Sequence, residues 1–185
     1  GTFVVGGIER VVVPQLARSF GVFFTSQEAK GKIVFGAKII PARGAWIEIE
    51  TDGDHTLYVR IDRKRKFPVT SLLRVCGAAT DKDILALFED YPAAKQFIEK
   101  TLAKDHAKTP EDAYIEIHKR LRDGDLATAD NAREFVKSIF DAERYDISKV
   151  GRFRFNQRFE KKLTEPELSR KTFSLDDLKT IVAHI

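Results

Sequence analysis

The strongest constraint on the fold is a pair of alternating runs joined by a tight-turn dipeptide. Trp46-Ile47-Glu48-Ile49-Glu50 alternates apolar and acidic side chains. A period of two is the spacing of a half-buried strand. Leu57-Tyr58-Val59-Arg60-Ile61 follows across Thr51-Asp52-Gly53-Asp54, and Asp-Gly between two such runs predicts a hairpin. The run from Lys32 to Ile40 precedes them and can form a third strand. Residues 32–61 therefore read as an antiparallel meander. Shorter β-branched and aromatic runs at 3–5, 10–13 and 22–24 extend this β character toward the start of the chain, with glycines between them.

After Phe67-Pro68 the period changes from two to that of a helix. Pro68 is expected to halt regular structure. Thr80-Asp81-Lys82-Asp83 has capping-box spacing before an apolar run. Pro92 can open a helix carrying Phe97, Ile98 and Leu102. Thr109-Pro110-Glu111-Asp112 sets a cap, a first-turn proline and two acids in order. Ala132, Phe135, Val136 and Phe140 recur at helical spacing, and Ser174-Leu175-Asp176-Asp177 caps a last helix with Leu178, Ile181 and Val182. The expected fold class is α+β: 1–67 mainly β, 68–185 mainly helical, within one domain.

Composition narrows the chemistry. The 185 residues include one Cys, one Trp and no Met. One cysteine excludes a disulfide framework and a four-cysteine metal site, and suits a reducing, cytoplasmic setting. No apolar run approaches a membrane span. The absent methionine, with ends that fall inside a strand-like and a helix-like pattern, suggests a piece of a longer polypeptide, truncated at both ends. Of the 32 Lys+Arg and 28 Asp+Glu, residues 1–67 hold 11 and 7 and residues 68–185 hold 21 and 21, so the net charge of +4 lies wholly in the β third. Local positive charge suits a polyanion, and it also suits an ordinary surface.

No catalytic constellation is present. His55, His106, His118 and His184 are scattered, and phosphate-cradling glycine motifs are absent. Cys76 lies in an apolar run with no nearby histidine and reads as a small core residue. Asp81/Asp83, Asp123/Asp125 and Asp176/Asp177 sit at helix starts or loops, where capping explains them.

Three clusters bear on binding. The run Arg63-Lys64-Arg65-Lys66 follows a strand; it suits phosphate contacts or a lysine-guarded sheet edge. Trp46 opens a strand after Arg43-Gly44-Ala45, and either closes the core or offers a stacking platform for an unpaired base. Residues 144–159 interleave bases and aromatics, a pattern of nucleic-acid contact or of amphipathic packing. Packing is expected for Tyr145, Val150 and Phe153.

These segments resemble the β subunit of bacterial RNA polymerase, in its β2 or lobe domain. The matching runs are Gly1 through Val13, Gln15 through Phe24, Ala37 through Trp46, Val59 through Lys66 and Arg144 through Arg152, in the family's order. Two positions depart from the family's pattern. Phe20 replaces a proline, and Leu121-Arg122-Asp123-Gly124-Asp125 replaces a proline-rich loop, which is expected to survive on Gly124.

The resemblance implies a wall of the main cleft, facing downstream DNA and the non-template strand. Trp46 would stack on a non-template base, Arg18 would lie near the same pocket, and Arg63, Lys64, Arg65 and Lys66 would lie toward DNA. Arg10, Val13 and Gln15 match the edge of the rifamycin pocket. The implied partners are DNA, the β′, α and ω subunits, σ and lobe-binding regulators. A docking module for σ or a regulator, with little DNA contact, is the alternative. The resemblance implies no cofactor in this chain, with catalytic Mg2+ held by another subunit, and so no catalytic centre of its own within the DNA-directed RNA polymerase.

Overall fold

In the computed structural model, which describes residues 1–29 and 31–185, the alternating runs pair as their period requires. Five strands, β3 (Gly21–Ala29), β4 (Lys32–Ile40), β5 (Ile47–Thr51), β6 (Leu57–Ile61) and β7 (Phe67–Pro68), form one antiparallel sheet in chain order. Lys38 pairs with Glu48, and Glu48 with Arg60. That register sends Ile39, Ile47, Ile49, Val59, Ile61 and Phe67 to one face, where all are buried. The opposite face carries a cross-strand charge row, with Lys38 Nζ 2.8 Å from Glu48 Oε1. β3 is longer than its apolar stretch, because Thr25-Ser26-Gln27-Glu28 continue the pairing with β4 past the core.

A separate two-stranded hairpin precedes this sheet. β1 (Thr2–Val5) and β2 (Ile8–Val11) flank Gly6 and Gly7, whose φ of 62° and 76° suit a primed hairpin turn. The second strand is thus shifted toward the turn from the expected 10–13. Residues 1–18 are all exposed.

Pro68 does not halt regular structure. With φ −60° and ψ 141° it leads from β7 straight into α1 (Val69–Val75), a helix whose apolar run gave no amphipathic signal because nearly all of it is buried. α2 (Asp81–Leu87), α3 (Pro92–Lys104), α4 (Pro110–Leu121), α5 (Ala129–Ile139), α6 (Ser148–Arg158), α7 (Glu165–Leu168) and α8 (Leu175–His184) complete the α+β architecture. Thr80, Thr109 and Ser174 each make the full capping box with the acid three residues on. Gly124, at φ 90°, turns the chain between α4 and α5. One core runs from the inner sheet face through α1, α3, α4 and α8, with Leu73, Ile117 and Ile181 among its buried members.

α6 corrects part of the packing expectation. Tyr145, just before it, is buried, but Val150 and Phe153 are exposed. The inward stripe is Gly151, Arg152 and Phe155, at helical spacing. Gly151 lies against the start of β3: a Cβ there would stand 3.3 Å from Gly21 N and 2.8 Å from Ile147 Cγ1. Arg152, fully buried, donates from Nη1 to Asp177 Oδ2 at 2.9 Å and from Nη2 to Thr172 O at 2.6 Å. It ties α6 to the capped start of α8. Burial alone would raise the Asp177 pKa; the Ser174 backbone donor and the Arg152 charge outweigh it and hold the carboxyl below its usual range.

Candidate nucleic-acid interface

The strand register gathers one set of functional candidates at a single end of the five-stranded sheet. Gly21 pairs with Ile40, Ile39 with Ile47, and Ile47 with Ile61. β3 and β5 therefore begin, and β4 and β6 end, at the same edge. The residues just outside those ends are Arg18, Arg43, Trp46 and Arg63. Arg18 stacks its guanidinium 4.0 Å from the centroid of the Phe23 ring.

Trp46 is 38% exposed. It stands just before β5 and is not a member of the buried core cluster. It therefore does not close the core. Its main chain is held from both sides: Trp46 N donates to Asp62 Oδ1 at 2.8 Å, and Asp62 N donates to Trp46 O at 2.9 Å. Trp46, Asp62 and Arg63 line a shallow cavity of about 270 Å³.

Below this cavity two motifs meet that are far apart in the chain. Ala42 N and Arg43 N donate to Asp146 O at 2.7 and 3.1 Å, and Asp146 N returns a bond of 2.8 Å to Arg43 O. Gly44 makes the approach possible, since a Cβ at this position would stand 2.7 Å from Tyr145 Cδ2. Tyr145 is 1% exposed and its hydroxyl has no hydrogen-bond partner among the described residues. Burial pushes its pKa up; Arg152 opposes and Asp62 reinforces that shift. The phenol stays neutral at physiological pH. The Arg43–Asp146 bridge also brings Arg144 close to this end.

The basic run divides. Arg63 has no acidic partner among the described residues, and neither do Arg18, Arg43 and Arg144. The other three members of the run make contacts within the chain. Lys64 Nζ donates to Leu121 O at 2.8 Å, at the C-terminal end of α4, where a cation suits the helix dipole. Arg65 reaches Asp123 at 3.1 Å. Lys66 Nζ is 2.7 Å from Asp52 Oδ2 and lies 4.3 Å from the Tyr58 ring centroid. These contacts turn Lys64, Arg65 and Lys66 away from Trp46.

Arg43 and Arg144 were not singled out by the sequence. Arg43 stood only in a loop beside a glycine and a tryptophan, and Arg144 only in the mixed basic and aromatic run 144–159; neither pattern says which distant segment the other meets. A second, polar cleft of about 540 Å³ lies between α4 and α5, lined by His118, Arg122, Asp125, Glu134, Phe135 and Arg144 among others. Arg144 lines this cleft and not the Trp46 cavity. Arg10 lies in β2, opposite Phe3, while Val13 and Gln15 follow it in exposed chain. None of the three lines the Trp46 cavity.

The acidic pairs and the cysteine are used locally. Asp83 and Asp177 cap helices, Asp81 pairs with Arg74, Asp123 with Arg65 and Asp176 with Lys161. Cys76 packs against the core, where burial pushes its thiol up to about 12. Among the described residues no three His, Cys, Asp or Glu side chains are grouped to hold a metal ion. Among the described residues no helix is long and apolar enough to cross a membrane.

Residues 18–175 match the family model described as RNA polymerase Rpb2, domain 2. The chain is 46% identical over 160 residues to the DNA-directed RNA polymerase subunit beta of Clostridium kluyveri and to that of Clostridium botulinum. The aligned part is 85% of this chain but 13% of each of those proteins.

Proposed function

Since the chain belongs to the RNA polymerase Rpb2 domain 2 family, we propose that it serves within a DNA-directed RNA polymerase β subunit as a wall of the DNA cleft. Its task is to hold unpaired DNA of the non-template strand, and the chain performs no bond chemistry itself. Catalytic Mg2+ belongs to another subunit in this reading, and the working site is cytoplasmic, with β′, α, ω and σ as assembly partners.

One observation carries the reading: a half-exposed tryptophan at a sheet end that also presents Arg18, Arg43 and Arg63, none of them engaged by an acid among the described residues. An aromatic face accepts any base, and a base–aromatic stack contributes about 1–3 kcal/mol. Unpaired arginines neutralise the flanking phosphates. Arg18, Arg43, Trp46 and Arg63 form the contact set; Lys64, Arg65 and Lys66 add general positive potential.

The test is titration of the chain with a single-stranded DNA oligonucleotide, read by the fluorescence of its one tryptophan. Three phosphate contacts predict a log–log salt slope of roughly −2. Quenching that survives high salt unchanged, or no quenching at low salt, removes the DNA-facing reading.

The exposed hairpin supports a second, compatible role. Phe3, Val4, Val5, Ile8, Val11, Val12, Val13 and Leu16 present apolar side chains to solvent. We read this ribbon as the surface that docks on the remainder of the β subunit, since exposed apolar patches of this kind mark protein contacts.

A further inference from the structure

The geometry assigns to Asp62 the role of positioning residue for the Trp46 platform, an inference that rests on the stacking reading above. Three features converge on this aspartate.

First, Asp62 engages both backbone groups of Trp46, one with its side chain and one with its main chain, at 2.8 and 2.9 Å. A regular antiparallel rung would use two main chains. Here the chain turns away after Ile61, and the carboxylate replaces the missing carbonyl. The backbone that carries the indole is thereby held at the entry to β5.

Second, the turn that brings the carboxylate back is costly. Asp62 and Arg63 have φ of 49° and 58°, and Lys64 N closes on Ile61 O at 3.0 Å. Two successive left-handed residues with an i to i+3 bond have the form of a primed turn, normally built from Asn and Gly. Neither residue here is glycine. A local strain of this kind persists where the surroundings over-determine it, and it clusters at binding sites.

Third, the same turn sets Arg63 beside Trp46, so that Trp46, Asp62 and Arg63 line one cavity. An Asn-Gly turn would relieve the strain and lose the arginine. An unstrained loop would keep the arginine and lose the hold on Trp46. The strained Asp-Arg turn supplies both.

Because Trp46 is the one tryptophan, its emission and anisotropy report this residue alone. Four proteins separate the possibilities: the natural chain, Asp62→Gly, Asp62→Asn and Trp46→Ala. Glycine relieves the left-handed strain and removes the carboxylate. Asparagine tolerates the same backbone and keeps the acceptor oxygen. Asp62→Gly should therefore melt no lower than the natural chain, lower the steady-state anisotropy of Trp46, and weaken single-stranded DNA by about 3- to 10-fold, the worth of one hydrogen bond. Asp62→Asn should restore anisotropy and affinity. Stability that does not fall while binding falls is a signature that a purely structural aspartate does not produce.

Unchanged Trp46 anisotropy in Asp62→Gly overturns the positioning role, whatever the DNA result. So does natural affinity in Asp62→Gly when Trp46→Ala binds weakly. If Trp46→Ala binds DNA as the natural chain does, the stacking reading fails instead. The anisotropy comparison still decides whether Asp62 holds the ring.

Discussion

Gly44 lies against Tyr145 with no room for a side chain: its φ is +112°, and a Cβ would stand 2.7 Å from the ring. Both the backbone angle and the clash oppose substitution. Gly44→Ala should cost about 1–3 kcal/mol, the range for a non-glycine residue forced into such a conformation. Urea unfolding should show a lower midpoint with an unchanged slope, and Trp46 emission should shift. A natural midpoint would mean that the loop does not need this contact.

Arg152 and Asp177 form a fully buried pair, with Asp177 also capping α8. Removing one partner strands a charge in the core. Asp177→Ala should cost about 3–5 kcal/mol, as for other broken buried pairs. The pH dependence follows from the depressed Asp177 pKa. Its contribution is present above the unfolded carboxyl value, near 3.9, and is lost as pH falls through the lower folded value. Thermal melts from pH 6 downward should show this loss begin near about pH 4 in the natural chain. In Asp177→Asn that acid-linked component should be smaller.

The basic run should behave unequally in DNA binding. Arg63→Ala should weaken single-stranded DNA binding and reduce the salt slope by about 0.7, the value per phosphate contact on a single strand. Lys66→Ala should leave the slope intact, since Lys66 is held by Asp52 and Tyr58. Equal effects from both variants would show that bulk charge, rather than the end of the sheet, governs binding.

Cys76 should be nearly inert in the native chain. With its thiol pushed up to about 12 by burial, the thiolate fraction near pH 8 falls by about a thousandfold against a free cysteine. Cys76 is only partly buried and lines a cavity with Tyr114 and Phe140, so a thiol-reactive dye should label it slowly in the native chain, at a rate that rises with pH and with denaturant. Rapid labelling near pH 8 without denaturant would contradict the raised thiol pKa.

The exposed hairpin should be dispensable for the stability of the rest. Residues 1–16 bury nothing in the common core. Deleting them should leave the melting temperature within the range of a surface change, about 0.5 kcal/mol equivalent. A large drop would reveal contacts between the hairpin and the body.

Much of this was readable in the chain. Alternation from Trp46 to Ile61 specified the sheet and its buried face, because a one-residue slip would turn Ile47 and Ile49 to water. Caps at Thr80, Thr109 and Ser174 declared three helix starts through local side-chain chemistry. What stayed hidden depends on long-range packing. α1 is buried nearly all round and therefore has no polar face to set its period. Arg152 reads as a surface base until Asp177 is placed beside it. The basic run looked uniform because composition cannot say that Lys64 reaches Leu121 while Arg63 reaches no acid among the described residues.

The junction of Arg43 with Asp146 also bears on the order of assembly. The strand hairpins close over short loops, and the helices are capped locally, so both form from near neighbours. The floor beneath Trp46 needs two segments separated by most of the helical half, and such contacts form after the loop entropy between them has been lost. The binding end of the sheet is thus expected to be the last part to mature. In refolding, far-ultraviolet ellipticity should recover before the Trp46 signal; simultaneous recovery would mean that the distant segments meet from the outset. A site built this way exists only once both segments have met, so under the proposed role a partly folded chain does not grip DNA.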